Sequence, residues 1–414
     1  MGNRHPLHLS TIQDYLLADV AFRIQLTPTD YKKAKERYTA INSYLDRPES
    51  LLHNRIEIYY PQGSMAIGST IASNLTTDHF DLDTIAQLLI SQHTNPAEVL
   101  DLLFSALNGL PGSRYYGKVT RNSRCVTVEY EDGMRIDVAP MVRRGATPER
   151  ESVLFHHRRE TPGDPGYHKV ANPYGFAVWF NARTPPEEMF AEQYAALIKS
   201  HMTFAEAEQE PIPDQEDAHK KSMALIALQL TKRYRNVRFD RRKVCRPPSV
   251  LLAKWVADAA GGGRVRLIDE LLYQVRRMRH VLSDHIATGR LVHVVNPVCA
   301  EDVLTDRWPA NQADQLLFVE DFDHFIAQLE RLHSECPIEE VRDILSDLFG
   351  ERPSADAVKG FSDMYGNRVQ RGGLYVPGSH VTSGSAALVG LSAAASAYAR
   401  PTPGHTFFGD ETDA

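Results

Sequence analysis

QGSMAIGST (62–70), DHFDLD (78–83) and RIDVAP (135–140), in that order, decide how this chain is read. Gly63 lets the backbone approach a phosphate closely. Ser64 adds a hydroxyl at a predicted helix N-terminus, where free amides and the helix dipole favour anions. Gln62, just before them, either reaches a nucleotide or finishes the preceding strand. Asp81 and Asp83 stand two apart in a predicted strand, so both carboxylates share a face while Leu82 enters the core. Asp137 sits between Ile136 and Val138 on the returning arm of a hairpin turned by Glu131-Asp132-Gly133. A carboxylate inside an apolar strand is costly unless something pairs with it. Three hard oxygen donors suit Mg²⁺, with Mn²⁺ as a substitute, because such ions complete their shells with waters and substrate phosphates. Two ions held this way against a nucleotide would make a phosphoryl-transfer centre, and Asp137 could also take a proton from an attacking hydroxyl. Asp78 reads as a turn residue. Singly, a Gly-Ser pair or a D-x-D is weak, and a solvated edge strand explains the latter equally well. Their ordered combination is far more specific.

The flanking sequence predicts an α+β, two-lobed molecule. Residues 1–50 are expected to form a helical spine with one long brace, residues 51–185 a mixed-sheet lobe, and residues 186–350 a helical lobe. Residues 351–414 are expected to be mostly a flexible tail, because from about Gly360 onward the composition drifts to Gly, Ser and Ala. Thr27-Pro28-Thr29-Asp30 has the form of a helix start, with a cap, a proline at the first helical position and a capping-box carboxylate. Tyr31, Ala34, Tyr38, Ile41 and Leu45 then recur at helical spacing. Strands are expected over 55–60, 82–90, 124–130 and 134–140, and helices over 96–107, 189–209, 219–234, 249–260, 267–286 and 318–333. His156 and His157 are read as surface residues.

With 414 residues, 43% hydrophobic and 24% charged, the chain has ample material for a folded core. A net charge of −7 argues against a standing grip on duplex nucleic acid, which needs a basic face. The four cysteines are scattered and make neither a disulfide frame nor a zinc motif. Residues 1–11 lack the apolar core of a signal peptide, and no stretch is long and apolar enough to span a bilayer, so a cytoplasmic protein is expected.

The chain resembles a known family. GS-x-x-x-G, D-x-D and a hairpin Asp together are similar to the DNA polymerase β-type nucleotidyltransferases, and within them to the cGAS/DncV-like enzymes (CD-NTases) of bacterial CBASS anti-phage defence. The likeness continues through NPYGFAVWFNAR (172–183), ALIALQLTKRYRN (224–236), PPSVLLAKW (247–255) and NPVCAEDVLTDRW (296–308). It implies that Gly63 and Ser64 bind a donor triphosphate, that Asp81, Asp83 and Asp137 hold Mg²⁺, and that Lys232 and Ser249 touch phosphate. On physical grounds alone, basic residues in the last turn of a helix complement its dipole, and Ser249 could simply cap a helix. NTPs, ATP foremost, are the implied substrates. The implied reaction joins them into a cyclic di- or trinucleotide that activates a separate effector protein. No zinc insertion of the animal DNA sensor is present. HTFFG (405–409) is similar to relatives whose tails an E1/E2-like ligase conjugates, although a plain chain end also accounts for it. The same three carboxylates could instead make linear oligonucleotides or transfer a nucleotide to tRNA or protein. A non-catalytic scaffold would be expected to have lost a ligand, and all three are present.

Overall fold

The computed structural model describes residues 9, 11–72, 80–145, 150–205, 221–334, 336–370, 374–375 and 400–401. Two helices open the chain, α1 (Ile12–Arg23) and α2 (Pro28–Leu45), so the single long brace is broken at residues 24–27. Thr27 caps α2 as its sequence predicts, accepting from the Asp30 amide. The two helices then part company. Ala34, Ile41 and Leu45 of α2 pack under the sheet, while Leu16, Leu17 and Val20 of α1 join the helical core.

The sheet lobe contains β1 (Ile56–Pro61), the single-turn α3 (Gly63–Ala66), β2 (Asp81–Leu88), α4 (Pro96–Asn108), β3 (Val119–Arg121), β4 (Val126–Glu129), β5 (Arg135–Arg143), β6 (Ser152–His156) and β7 (Tyr167–Ala171). Its strands run in the order β1-β2-β5-β4-β3, with β6 and β7 added beyond the far half of β5. The β2–β5 pair is parallel and its other neighbours antiparallel, which makes the sheet mixed. One face is sealed by Val99, Leu103 and Leu107 of α4 against Leu82, Ile136 and Val138. At about 1.5–3 kcal/mol per fully buried aliphatic side chain, this layer fixes strand register.

The helical lobe follows with α5 (Pro173–Arg183), α6 (Glu188–Ala205), α7 (Met223–Phe239), α8 (Ser249–Ala259), α9 (Leu267–Ala287), the small hairpin β8 (Val295–Asn296) and β9 (Cys299–Val303), α10 (Gln312–His333) and α11 (Ile338–Phe349). Where a flexible tail was expected from residue 351, the chain instead continues as α12 (Glu351–Gln370). Ala357 is fully buried there, and the Phe361 ring lies 5.7 Å from that of Tyr15 on α1. The Gly, Ser and Ala drift that begins near Gly360 masks this helix, and the α1 surface that it packs on is at the other end of the chain. Residues 374–375 and 400–401 form a short antiparallel pair, β10 (Leu374–Tyr375) and β11 (Arg400–Pro401). HTFFG and Asp78 lie outside the described residues. No described helix is long and apolar enough to cross a membrane.

Two buried polar knots hold the parts together. Asp14 of α1, fully buried, accepts from Arg266 Nε at 3.0 Å and from the Ile268 amide at 2.9 Å, so its carboxylate caps α9. Replacing it by alanine leaves the start of α9 without its acceptor and Arg266 with the Thr11 hydroxyl in place of a carboxylate. Asp14→Ala should cost about 3 kcal/mol, visible as a lower denaturant midpoint at unchanged m-value; a midpoint equal to wild type would refute the role. The second knot joins the lobes. Asp302 Oδ2 accepts from the Asn172 amide at 3.1 Å and from Asn296 Nδ2 at 2.9 Å, and Asn296 Nδ2 also reaches the Asn172 carbonyl at 3.0 Å.

Candidate active site

Parallel pairing of β2 and β5 sets Asp83 directly beside Asp137, and Asp81 beside Arg135. The site therefore arises from strand register across more than fifty residues of chain, not from local sequence. Asp81 is exposed at the first position of β2, and Asp83 lies deeper. Thr127 of β4 faces Asp137 across the next ladder and donates a short hydrogen bond to its Oδ1. The Gly63 turn folds over Asp83. The Gln62 amide donates to the Asp83 carbonyl at 2.9 Å, and Gly63 has φ +58°. A Cβ on Gly63 would lie 2.8 Å from Asp83 Oδ2, so only glycine allows so close an approach.

Crowding of like charges away from water shifts these acids. Burial, then Asp137 and Asp81, push Asp83 up to about 7, with Lys232 pulling the other way. Asp137 is raised chiefly by burial, opposed by the Thr127 hydrogen bond. Among the described residues no three candidate ligands are already drawn around one point. The carboxylates form a repelling row rather than a closed cage. That suits an ion which binds through one or two carboxylates and takes its remaining ligands from water and substrate phosphate.

Gln62, Gly63, Ser64 and Asp83 line a cavity of about 400 Å³. Ser249 lines it too, and its hydroxyl accepts from Arg235 Nη1 at 3.0 Å. It is not the helix cap: Pro248 holds that position and Ser249 is the first residue of α8. Lys232 is placed differently from a direct cavity contact. Only 4% exposed, it donates to the Ser69 carbonyl at 2.7 Å and lies behind the Gly-Ser turn. Lys221 does the same for the Gly68 carbonyl at 3.2 Å. Burial, with Arg235 next, brings Lys232 down to about 7 while Asp83 opposes the shift; burial alone brings Lys221 to about 7.

A second polar group on the same cavity wall, Arg124, Lys169, Asp302, Asp306 and Arg307, has no counterpart among the residues singled out from the sequence. The last three sit inside the NP…W segment, but Arg124 and Lys169 carry no local signal. His156, read as a surface residue, is only 5% exposed: its Nδ1 accepts from Arg124 Nε at 3.1 Å and its ring stacks on Tyr167. Its strand pairing with β7 explains the burial. His157 is half-buried and meets Arg121.

Comparison with known proteins agrees with this geometry. The Second Messenger Oligonucleotide or Dinucleotide Synthetase (SMODS) domain model matches residues 11–157. Cyclic dinucleotide synthase CdnG of Bradyrhizobium diazoefficiens is 36% identical over 384 residues, covering 90% of this chain and 91% of that protein. A c-di-GMP synthase of Roseivirga ehrenbergii is 27% identical over 360 residues, covering 83% and 85%. The structure of the Bradyrhizobium CdnG with GTP superposes with a TM-score of 0.75 at 35% identity, over 86% of this chain and 99% of that one. Escherichia coli CdnC with ATP shares the fold alone, with a TM-score of 0.52 at 13% identity over 82% and 98%. With two carboxylate strands paired under a Gly-Ser turn and a 36%-identical relative spanning 90% of its length, the chain belongs to the cGAS/DncV-like nucleotidyltransferases, the CD-NTase family.

Proposed function

We propose that the protein condenses two NTPs into a cyclic dinucleotide and releases pyrophosphate. The observation that carries this reading is the side-by-side placement of Asp83 and Asp137, with the Gly63 turn closed over Asp83. The names of the two curated relatives favour a dinucleotide over a trinucleotide, and the GTP-bound CdnG relative supports a purine triphosphate as substrate.

In this scheme Gln62, Gly63 and Ser64 seat the donor triphosphate, and Ser249 meets it from α8. Lys232 and Lys221 hold the Ser69 and Gly68 carbonyls and so fix the turn from behind, with Lys232 positioned to add its charge to the phosphate field. Asp81, Asp83 and Asp137 would hold Mg²⁺ (two ions), which supplies Lewis acidity at the α-phosphate and charge neutralisation at the departing pyrophosphate. Asp137, raised above the ordinary carboxylate range, accepts the proton of the attacking ribose hydroxyl. The new bond joins that oxygen to the α-phosphorus, and the bond to the β-phosphate oxygen breaks. The linear intermediate turns over in the same cavity for the second condensation. The product signals to a separate effector in anti-phage defence within the cytoplasm. The HTFFG end would be the substrate of any tail-conjugating ligase.

Incubation with all four NTPs and Mg²⁺ should give a phosphatase-resistant oligonucleotide, identified by mass spectrometry. Purely linear products would replace the reading by oligonucleotide polymerisation, and label on tRNA or protein would replace it by macromolecular transfer.

Divalent-ion binding should also be linked to protons. Asp83 is held up to about 7 when folded, so below that pH a bound cation must displace its proton. Mg²⁺ affinity should therefore climb with pH, by up to about tenfold per unit below 7, and level off above it. Isothermal titration in buffers of different ionisation enthalpy would count the released proton. For stability the sign is reversed. An acid whose folded value exceeds its unfolded one weakens the fold as pH rises from 3.8 to about 7 in the absence of metal. A flat affinity profile, or one unchanged in Asp83→Asn, would contradict this assignment.

A further inference from the structure

Arg124, Lys169 and Asp306 come from three distant parts of the chain and meet on the cavity wall. Asp306 Oδ2 accepts from both cations, at 3.0 Å from Arg124 Nη2 and 2.8 Å from Lys169 Nζ. Arg124 is pinned further: Nε donates to His156 at 3.1 Å and Nη2 to the Tyr167 hydroxyl at 2.9 Å. The Asp306 and Arg124 side chains are only 24% and 17% exposed, so their geometry is set before any ligand arrives. Both cations use the same carboxylate oxygen. Among the described residues nothing bonds Asp306 Oδ1 or Arg124 Nη1, and the Arg307 guanidinium beside them is likewise unpaired. The wall thus presents one fixed acceptor next to cationic donors, in the cavity that also contains Gly63, Ser64 and Asp83.

That pattern has a chemical complement. Guanine carries two adjacent acceptors, O6 and N7, beside two donors, N1–H and the N2 amino group. Adenine in the same pose keeps the N7 acceptor but turns an amino group toward the guanidinium in place of O6, offers the carboxylate a lone pair at N1, and lacks the N2 amino group. We propose that Asp306, held by Arg124 and Lys169, is the specificity-determining carboxylate that selects guanine, accepting from N1–H and N2 while Arg124 or Arg307 donates to O6 and N7. This rests on the nucleotidyl-transfer reading above and names the base on which it acts.

The decisive measurement compares GTP, ITP and ATP, since ITP lacks only the N2 amino group. Wild-type protein should use GTP about 10–100-fold better than ATP and measurably better than ITP, as expected when a site bonds a polar group that the analogue lacks. Asp306→Ala should bring the GTP-to-ITP ratio close to one, whereas Asp306→Glu should restore part of it. Equilibrium binding of the three nucleotides to wild-type protein gives the same ranking without depending on the folding of a variant. Turnover with equal use of the three bases, or an Asp306→Ala protein that keeps the wild-type ratio, overturns the base assignment and leaves nucleotidyl transfer standing. Absence of both binding and turnover with every NTP overturns the two together.

Discussion

Asp81→Ala combined with Asp83→Ala is expected to lower product formation from mixed NTPs by at least ~10³-fold, while the protein remains folded. The two residues supply two of the three carboxylates, and Asp137 alone cannot hold the divalent ions whose positive charge would offset that of a triphosphate drawn toward the Gly63 turn. What separates catalysis from folding here is the direction of the stability change. Asp83 is pushed up by burial and by its neighbours, so its ionised form weakens the apo fold at pH 8. The double variant should therefore melt no lower than wild type in the absence of divalent ions, and it should lose the stabilisation that Mg²⁺ with NTP gives wild type. Product assays read by mass spectrometry and melting curves with and without Mg²⁺–NTP test both halves. An inactive variant that also melts well below wild type would assign the pair to structure. Retained activity would end the proposed mechanism.

The second large effect is expected at Gly63. Its φ of +58° already disfavours any side chain, at about 1–2 kcal/mol, and an added Cβ would sit 2.8 Å from Asp83 Oδ2. Either the turn lifts or the carboxylate moves, and a displacement of an ångström in a phosphate-seating element costs about 10²-fold or more. Gly63→Ala should thus lose activity far out of proportion to its stability. Gly289 provides the control. It has φ +66°, but a Cβ added there would meet nothing within 4 Å, so Gly289→Ala bears the backbone penalty without touching the site. Matching melting temperatures with an activity gap of about 10²-fold would support the argument. Equal activities would show that the turn does not seat the donor.

Much of the fold could be read from the chain because its signals are local. The Thr27 cap, the strand leading into the Gly-Ser turn and the alternation around Leu82 and Ile136 all depend on neighbours within a few residues. The adjacency of Asp83 and Asp137 was implied by the order of motifs, but its physical cause, a parallel ladder between strands far apart in sequence, was not visible in either segment. The position of Lys232 was hidden for a similar reason. Its helix is clear, yet which residues its ammonium meets depends on how α7 docks behind the turn at Ser69. The Arg124–Lys169–Asp306 group lies wholly beyond local reading, since each member is an ordinary charged residue until the lobes close. The burial of His156 and the presence of α12 went unseen because each depends on a remote partner, β7 in one case and α1 in the other.

The seam at Asn172, Asn296 and Asp302 constrains how the molecule can breathe. Prying the lobes apart there would strand a buried carboxylate and two amide groups, each unmade bond costing about 1–3 kcal/mol. Large excursions at that edge are suppressed. Because Asp302 also borders the cavity, this clasp lies on the cavity rim itself. The segment after α3 is tied to the helical lobe as well, through Lys232 to the Ser69 carbonyl and Gln229 to the Thr70 carbonyl, so the cavity is gripped from two sides and its shape is held by buried polar bonds.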